Sequence, residues 1–144
     1  MRLVPGTRLF LGHVGDARDL RRLLDIGIEA IVDLAVNEPP LTPTRELVYL
    51  RFPLVDAPGN PPWLLRAAVE AVAGLVRADV PTLVYCAAGM SRTPCIAGAA
   101  LALARGCSPA DGLKLAAAGP SDVSPGLWAE VEACLPPVRP CSPA

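Results

Sequence analysis

Cys86 and Arg92, with five residues between them, have the types and spacing to do chemistry on a phosphate or a similar oxyanion. The segment reads Tyr85-Cys86-Ala87-Ala88-Gly89-Met90-Ser91-Arg92-Thr93. If it joins a strand to a helix, the backbone N–H groups of residues 87–92 converge on one point and the helix dipole adds positive potential there. Ala87, Ala88 and Gly89 are small enough for the tight curl, and Gly89 can take a backbone conformation closed to other residues. Arg92 offers a planar fork of donors to two oxygens, which Lys does not. A thiol beside that guanidinium at a helix start is favoured as the thiolate, the nucleophilic form. Thr93 can donate its hydroxyl to the sulfur and ease its departure, Ser91 reads as a brace of the loop, and Met90 belongs with Ala87, Ala88 and Gly89 to the phosphate-binding curl. The spacing alone is weak. Five cysteines and twelve arginines give roughly 0.4 such pairs by chance, so the flanking elements must supply the specificity.

Those elements are legible. Pro81–Tyr85 is a short apolar run leading into Cys86, and Cys95–Ala104 is a nearly all-apolar stretch of helical length just beyond Arg92, so the pair sits at a strand-to-helix junction. Upstream, Leu9–Gly12 reads as a strand closed by glycine, and Asp16 as the N-cap of a helix over Ala17–Ile26 that Gly27 ends. Ile28–Leu34 is a buried strand, and Leu47–Leu54 a third strand after a loop at Asn37–Thr44. Trp63–Arg77 repeats Leu65, Val69, Val72 and Val76 at helical spacing. Pro109–Ala118 and Pro125–Leu135 are two further helices opened by proline. Residues 1–135 form one domain, and 136–144, with four prolines, a flexible tail.

The bulk composition agrees. A chain of 144 residues supports one domain. With 52% hydrophobic but 4% aromatic residues, its core must be Ala, Leu and Val, which suits helices on a sheet and an α/β class. A net charge of −1 gives no global attraction to nucleic acid or an anionic membrane. No apolar stretch near the start suits a signal peptide, and none reaches the ~20 residues of a membrane span. Cys86, Cys95, Cys107, Cys134 and Cys141 are odd in number and lack zinc-site spacing, which fits a reducing cytoplasm.

With these residues in place, the chain resembles the dual-specificity branch of the cysteine-dependent protein tyrosine phosphatases. The likeness runs from Leu9-Phe10-Leu11-Gly12 and Asp16-Ala17, through Ile31-Val32-Asp33-Leu34, to the helices after the loop. Cys86, Arg92 and Thr93 match the family's Cys-x5-Arg-Ser/Thr signature. The resemblance implies a central, mostly parallel sheet of four to five strands flanked by helices and a reaction through a phosphocysteine. It further implies a phosphorylated protein or other phosphomonoester as substrate, and neither metal nor cofactor. It also implies a general acid on a separate loop, and Asp56, in Phe52-Pro53-Leu54-Val55-Asp56, stands where the family carries its acid. Asp79 lies at the wrong end of the nucleophile's strand.

Three departures stand out. Tyr85 occupies the position before the nucleophile where the family usually has His. Ala118-Gly119-Pro120 replaces a common arginine-proline pair. Ala87, Ala88 and Met90 include no lysine, which disfavours a polyphosphorylated inositide. Two other readings stay open: a phosphate-binding pseudophosphatase with weak or no turnover, which Tyr85 allows, and a sulfur-transfer or arsenate-reducing enzyme, against which the late position of the motif argues. Cys95 reads as a core cysteine rather than a partner for oxidised Cys86, and His13 as a loop residue. Trp63 and Trp128 are expected to pack in the core or cover an edge.

Overall fold

A computed structural model describes residues 1–44 and 46–137. Five strands form one sheet: β1 (Arg2–Leu3), β2 (Leu9–His13), β3 (Ala30–Ala35), β4 (Val48–Leu54) and β5 (Thr82–Cys86). Their order is β1-β2-β5-β3-β4. All pair in parallel except β1, which runs antiparallel to β2. The C-terminal ends of β2, β5, β3 and β4 therefore share one edge, where open α/β sheets bind their ligands. His13 pairs with Cys86 at that edge.

Strand side chains alternate between faces, and the core divides accordingly. Leu9, Leu11, Val32, Leu34, Val84 and Cys86 enter the larger cluster, whereas Ile31, Ala35, Leu83 and Tyr85 enter the smaller one on the other face. The larger face is covered by α3 (Pro62–Arg77) and α4 (Arg92–Arg105), with α5 (Pro109–Ala116) and α6 (Pro125–Ala133) packed against α4. The smaller face is covered by Ala17 of α1 (Val14–Arg18) and Leu23 of α2 (Leu20–Asp25). Every residue of α4 from Arg92 to Ala102 is buried, which explains why no polar stripe interrupts its sequence. Its contact with α5 is so close that a Cβ on Gly98 would stand 2.7 Å from Leu113 Cα. Pro62, Pro109 and Pro125 each occupy a first-turn position, where the missing N–H costs nothing.

The structure departs from the sequence expectation in four places. The single helix over Ala17–Ile26 is two helices. The N-cap of α1 is His13, whose Nδ1 accepts the Gly15 N–H at 3.0 Å, while Asp16 turns back to take the His13 N–H at 3.0 Å. Asp19 then breaks the run by capping α2, accepting the Arg22 N–H at 3.1 Å. His13 is thus a cap rather than a loop residue, and Asp16 is the third residue of its helix rather than the cap. The two-residue β1 carries no periodicity by which it could have been read. Trp63 is 66% exposed rather than packed, although Trp128 does lie against the core. Of the tail, only Pro136 and Pro137 fall within the described residues.

Candidate active site

The chain leaves β5 at Cys86 and enters α4 at Arg92, so residues 87–91 form the turn at the C-terminal edge of the sheet. Gly89 has φ +74, and a Cβ there would meet the Gly12 carbonyl oxygen at 2.7 Å. Glycine is therefore required twice over, by conformation and by the close approach of β2. Its N–H donates to Cys86 Sγ at 3.2 Å. Two carbonyls of the turn face outward: Ala87 accepts from the Val14 N–H at 3.4 Å and Met90 from the Asp122 N–H at 2.7 Å. Among the described residues no acceptor takes the N–H of Ala88, Met90 or Ser91. These are the donors an oxyanion would use.

Arg92 is only 7% exposed, and one of its nitrogens is spent on the protein. Nη1 donates to the Leu54 carbonyl at 2.9 Å, to Asn37 Oδ1 at 3.1 Å and to the Leu34 carbonyl at 3.4 Å. These acceptors lie at or just beyond the C-terminal ends of β4 and β3. They hold the guanidinium by one corner and leave Nε and Nη2 without an acceptor among the described residues. That is the arrangement for a two-point contact with an oxyanion.

Asp56, two residues past β4, reaches the same place. Its Oδ1 accepts from Ser91 Oγ at 2.5 Å, and Ser91 Oγ in turn accepts the Ser124 N–H at 2.9 Å. One hydroxyl thus ties together the turn after β5, the Asp56 loop and the segment before α6. A cavity of about 190 Å³ is lined by Asp56, Cys86, Ala88, Met90, Ser91, Arg92 and Asp122. It brings together the nucleophile, guanidinium and carboxyl named from the sequence. Asp122 and Asn37 were not singled out there, since nothing in either's local sequence separates it from an ordinary loop residue.

Thr93 is fully buried, and its hydroxyl has no partner among the described residues. It makes no hydrogen bond to Cys86 Sγ. Tyr85 lies in the smaller core cluster, on the face of the sheet opposite Cys86, so its side chain does not touch the sulfur. Instead it sits beside the buried Asp33, which accepts from Tyr49 at 2.5 Å and from the Ala35 N–H at 2.8 Å. Burial, and then the Asp33 carboxylate, push the Tyr85 phenol far above its ordinary value. Its hydroxyl stands beside the Asp33 carboxylate and the Tyr49 hydroxyl without a well-formed hydrogen bond to either. Burial and then the charge of Asp56 push the Cys95 thiol up to about 12, which makes it an inert core group. Among the described residues no cluster of three or more His, Cys, Asp or Glu side chains could hold a metal ion, and no helix is long and apolar enough to cross a membrane.

No family model matches the chain, and no curated protein does. Solved structures do. Human DUSP28 shares 26% identity over 90% of this chain and 92% of its own, with a TM-score of 0.77. A mouse putative dual specificity phosphatase, complexed with zinc tungstate, shares 25% identity over 88% of this chain and 81% of its own, with a TM-score of 0.77. DUSP15 shares 26% identity over 92% and 85%, with a TM-score of 0.75.

Proposed function

We propose that this chain, a dual-specificity-phosphatase-like member of the cysteine-dependent protein tyrosine phosphatase superfamily, hydrolyses phosphomonoesters through a phosphocysteine formed on Cys86. The observation that carries the reading is the single cavity lined by Cys86, Arg92 and Asp56 together. The phosphoryl oxygens take the N–H groups of Ala88, Met90 and Ser91 and the Nε and Nη2 donors of Arg92, which places phosphorus in front of the sulfur. Sγ forms the S–P bond as the ester O–P bond breaks, and the departing oxygen takes a proton from Asp56. Water then attacks phosphorus and gives a proton back to Asp56. The S–P bond breaks, and inorganic phosphate and the thiolate are released. The buried Thr93 hydroxyl, without a partner of its own, is free to turn toward the leaving sulfur.

The substrate is a phosphorylated protein or another phosphomonoester. A cavity with one guanidinium and two carboxyls suits a single phosphate better than a polyphosphorylated headgroup. The thiolate works in a reducing compartment, and we place the enzyme in the cytoplasm on that ground. The pseudophosphatase alternative is not favoured, because the neighbours at 25–26% identity are described as dual-specificity phosphatases and a nucleophile, guanidinium and acid are all present here. Turnover of an aryl phosphate by the purified protein tests the reading. Cys86→Ser should abolish it, Asp56→Ala should lower it with phenyl phosphate by a factor on the order of 10²–10⁴, and Arg92→Lys should lower it by a factor on the order of 10²–10³. Undiminished turnover by Cys86→Ser would sink the proposal.

A further inference from the structure

Asp56 belongs to a turn, residues 55–60, that is closed from within. Asn60 is 5% exposed, and its carboxamide satisfies three backbone groups of that turn. Oδ1 accepts the Val55 N–H at 2.8 Å, and Nδ2 donates to the Val55 carbonyl at 2.9 Å and the Ala57 carbonyl at 3.1 Å. The orientation of the amide is fixed by these partners, because only oxygen can serve the Val55 N–H and only nitrogen the two carbonyls. A second tie comes from α6: both carboxylate oxygens of Glu130 accept the Gly59 N–H, at 2.9 and 3.1 Å. Pro58 packs so close to Gly126 that a Cβ on Gly126 would collide with its ring. Neither Asn60 nor Glu130 lines the cavity. Their bonds fix only the loop from which the carboxyl projects.

We infer that Asn60, backed by Glu130, is the positioning residue of the general acid. This rests on the phosphatase reading above. Pre-organising an acid speeds only the step that uses its proton. Loosening the turn should therefore cost most with a leaving group that must be protonated, and little with one that departs as a stable anion.

The test compares kcat/KM for phenyl phosphate and for 2,4-dinitrophenyl phosphate, since that ratio covers the steps through departure of the leaving group. In Asn60→Ala, about a tenfold fall with phenyl phosphate and less than twofold with the dinitrophenyl ester is expected. Alkylation of Cys86 should proceed at the wild-type rate. Glu130→Ala, which leaves the carboxamide in place, should show the same split in milder form and keeps the test open if Asn60→Ala does not fold. Glu130→Gln, which retains an acceptor for Gly59, should fall less than Glu130→Ala. Equal losses with both esters, or none in folded variants, would overturn the positioning role while leaving the phosphatase reading intact. Failure of the wild-type protein to turn over either ester would overturn both.

Discussion

Replacing Gly89 by alanine adds one carbon atom at the tightest point of the cradle, and the geometry around it sets the size of the effect. The residue has φ +74, and the added Cβ would lie 2.7 Å from the Gly12 oxygen, 3.0 Å from the Gly12 carbonyl carbon and 3.4 Å from His13 Cβ. The left-handed conformation alone costs a residue with a Cβ about 1–2 kcal/mol. The clash is with backbone rather than a flexible side chain, and overpacking of that kind costs about 1–3 kcal/mol more. Gly27 separates the two contributions, since it has φ +86 and nothing within 4 Å of the Cβ it lacks. Gly27→Ala should lose about 1–2 kcal/mol, and Gly89→Ala about 2–5 kcal/mol. At roughly 2–4 °C per kcal/mol for a chain near this size, the two melting temperatures should be resolved easily. Urea denaturation gives the same comparison, with the m-value checking that the unfolded state is unchanged. If the loop instead moves away to relieve the clash, Gly89 loses its hydrogen bond to Cys86 Sγ and the convergent donors scatter. Affinity for phosphate or vanadate then falls while stability is partly recovered. Gly89→Ala matching Gly27→Ala in stability, with wild-type oxyanion affinity, would refute the reasoning.

Three further outcomes follow from buried groups. Ser91→Ala removes the one hydroxyl shared by Asp56 and the Ser124 N–H, so a stability loss of about 1–3 kcal/mol and lower turnover of phenyl phosphate are expected, by melting and by steady-state kinetics. Tyr85→Phe removes a buried hydroxyl that stands beside Asp33 and Tyr49 without a well-formed bond to either, so melting should show a change of no more than about 1 kcal/mol in either direction; a larger loss would contradict that geometry. Cys95 has a folded-state pKa of about 12 against about 8.5 for an unfolded cysteine. Its contribution to stability is complete below the lower value and is lost as pH rises between them, because the unfolded chain ionises first. Urea midpoints at pH 8 and pH 10.5 should therefore fall further for the wild type than for Cys95→Ala, and equal falls would contradict the assignment. Alkylation at pH 8 should leave Cys95 untouched until the protein unfolds.

Much of the site was legible along the chain because its chemistry is local. Cys86, the curl of residues 87–91 and Arg92 lie on one continuous strand-turn-helix segment, and residue size, glycine and apolar runs report such a segment directly. Asp56 came from the resemblance rather than from spacing, for its distance from Cys86 depends on β3 separating β4 from β5 in the sheet. The bland reading of Cys95 also followed from sequence, since it stands in an apolar run. The first helical segment differs from its sequence expectation because His13, not an expected cap from its type, takes the N-cap position and Asp19 opens a second helix within the same run.

What the sequence determined by itself, then, was the class of fold, the loop and the kind of nucleophile, all properties of periodicity and near neighbours. Tertiary structure decided which side of Arg92 is open and that Ser91 and Glu130 hold the acid loop in place, whereas Tyr85 faces away from Cys86 by strand alternation alone and Asn60 bonds only its own turn. The contacts of Arg92, Ser91 and Glu130 join residues 33 to 71 positions apart. Hydrogen bonds across such separations are set by strand order and helix packing, and no local pattern of residue types encodes them.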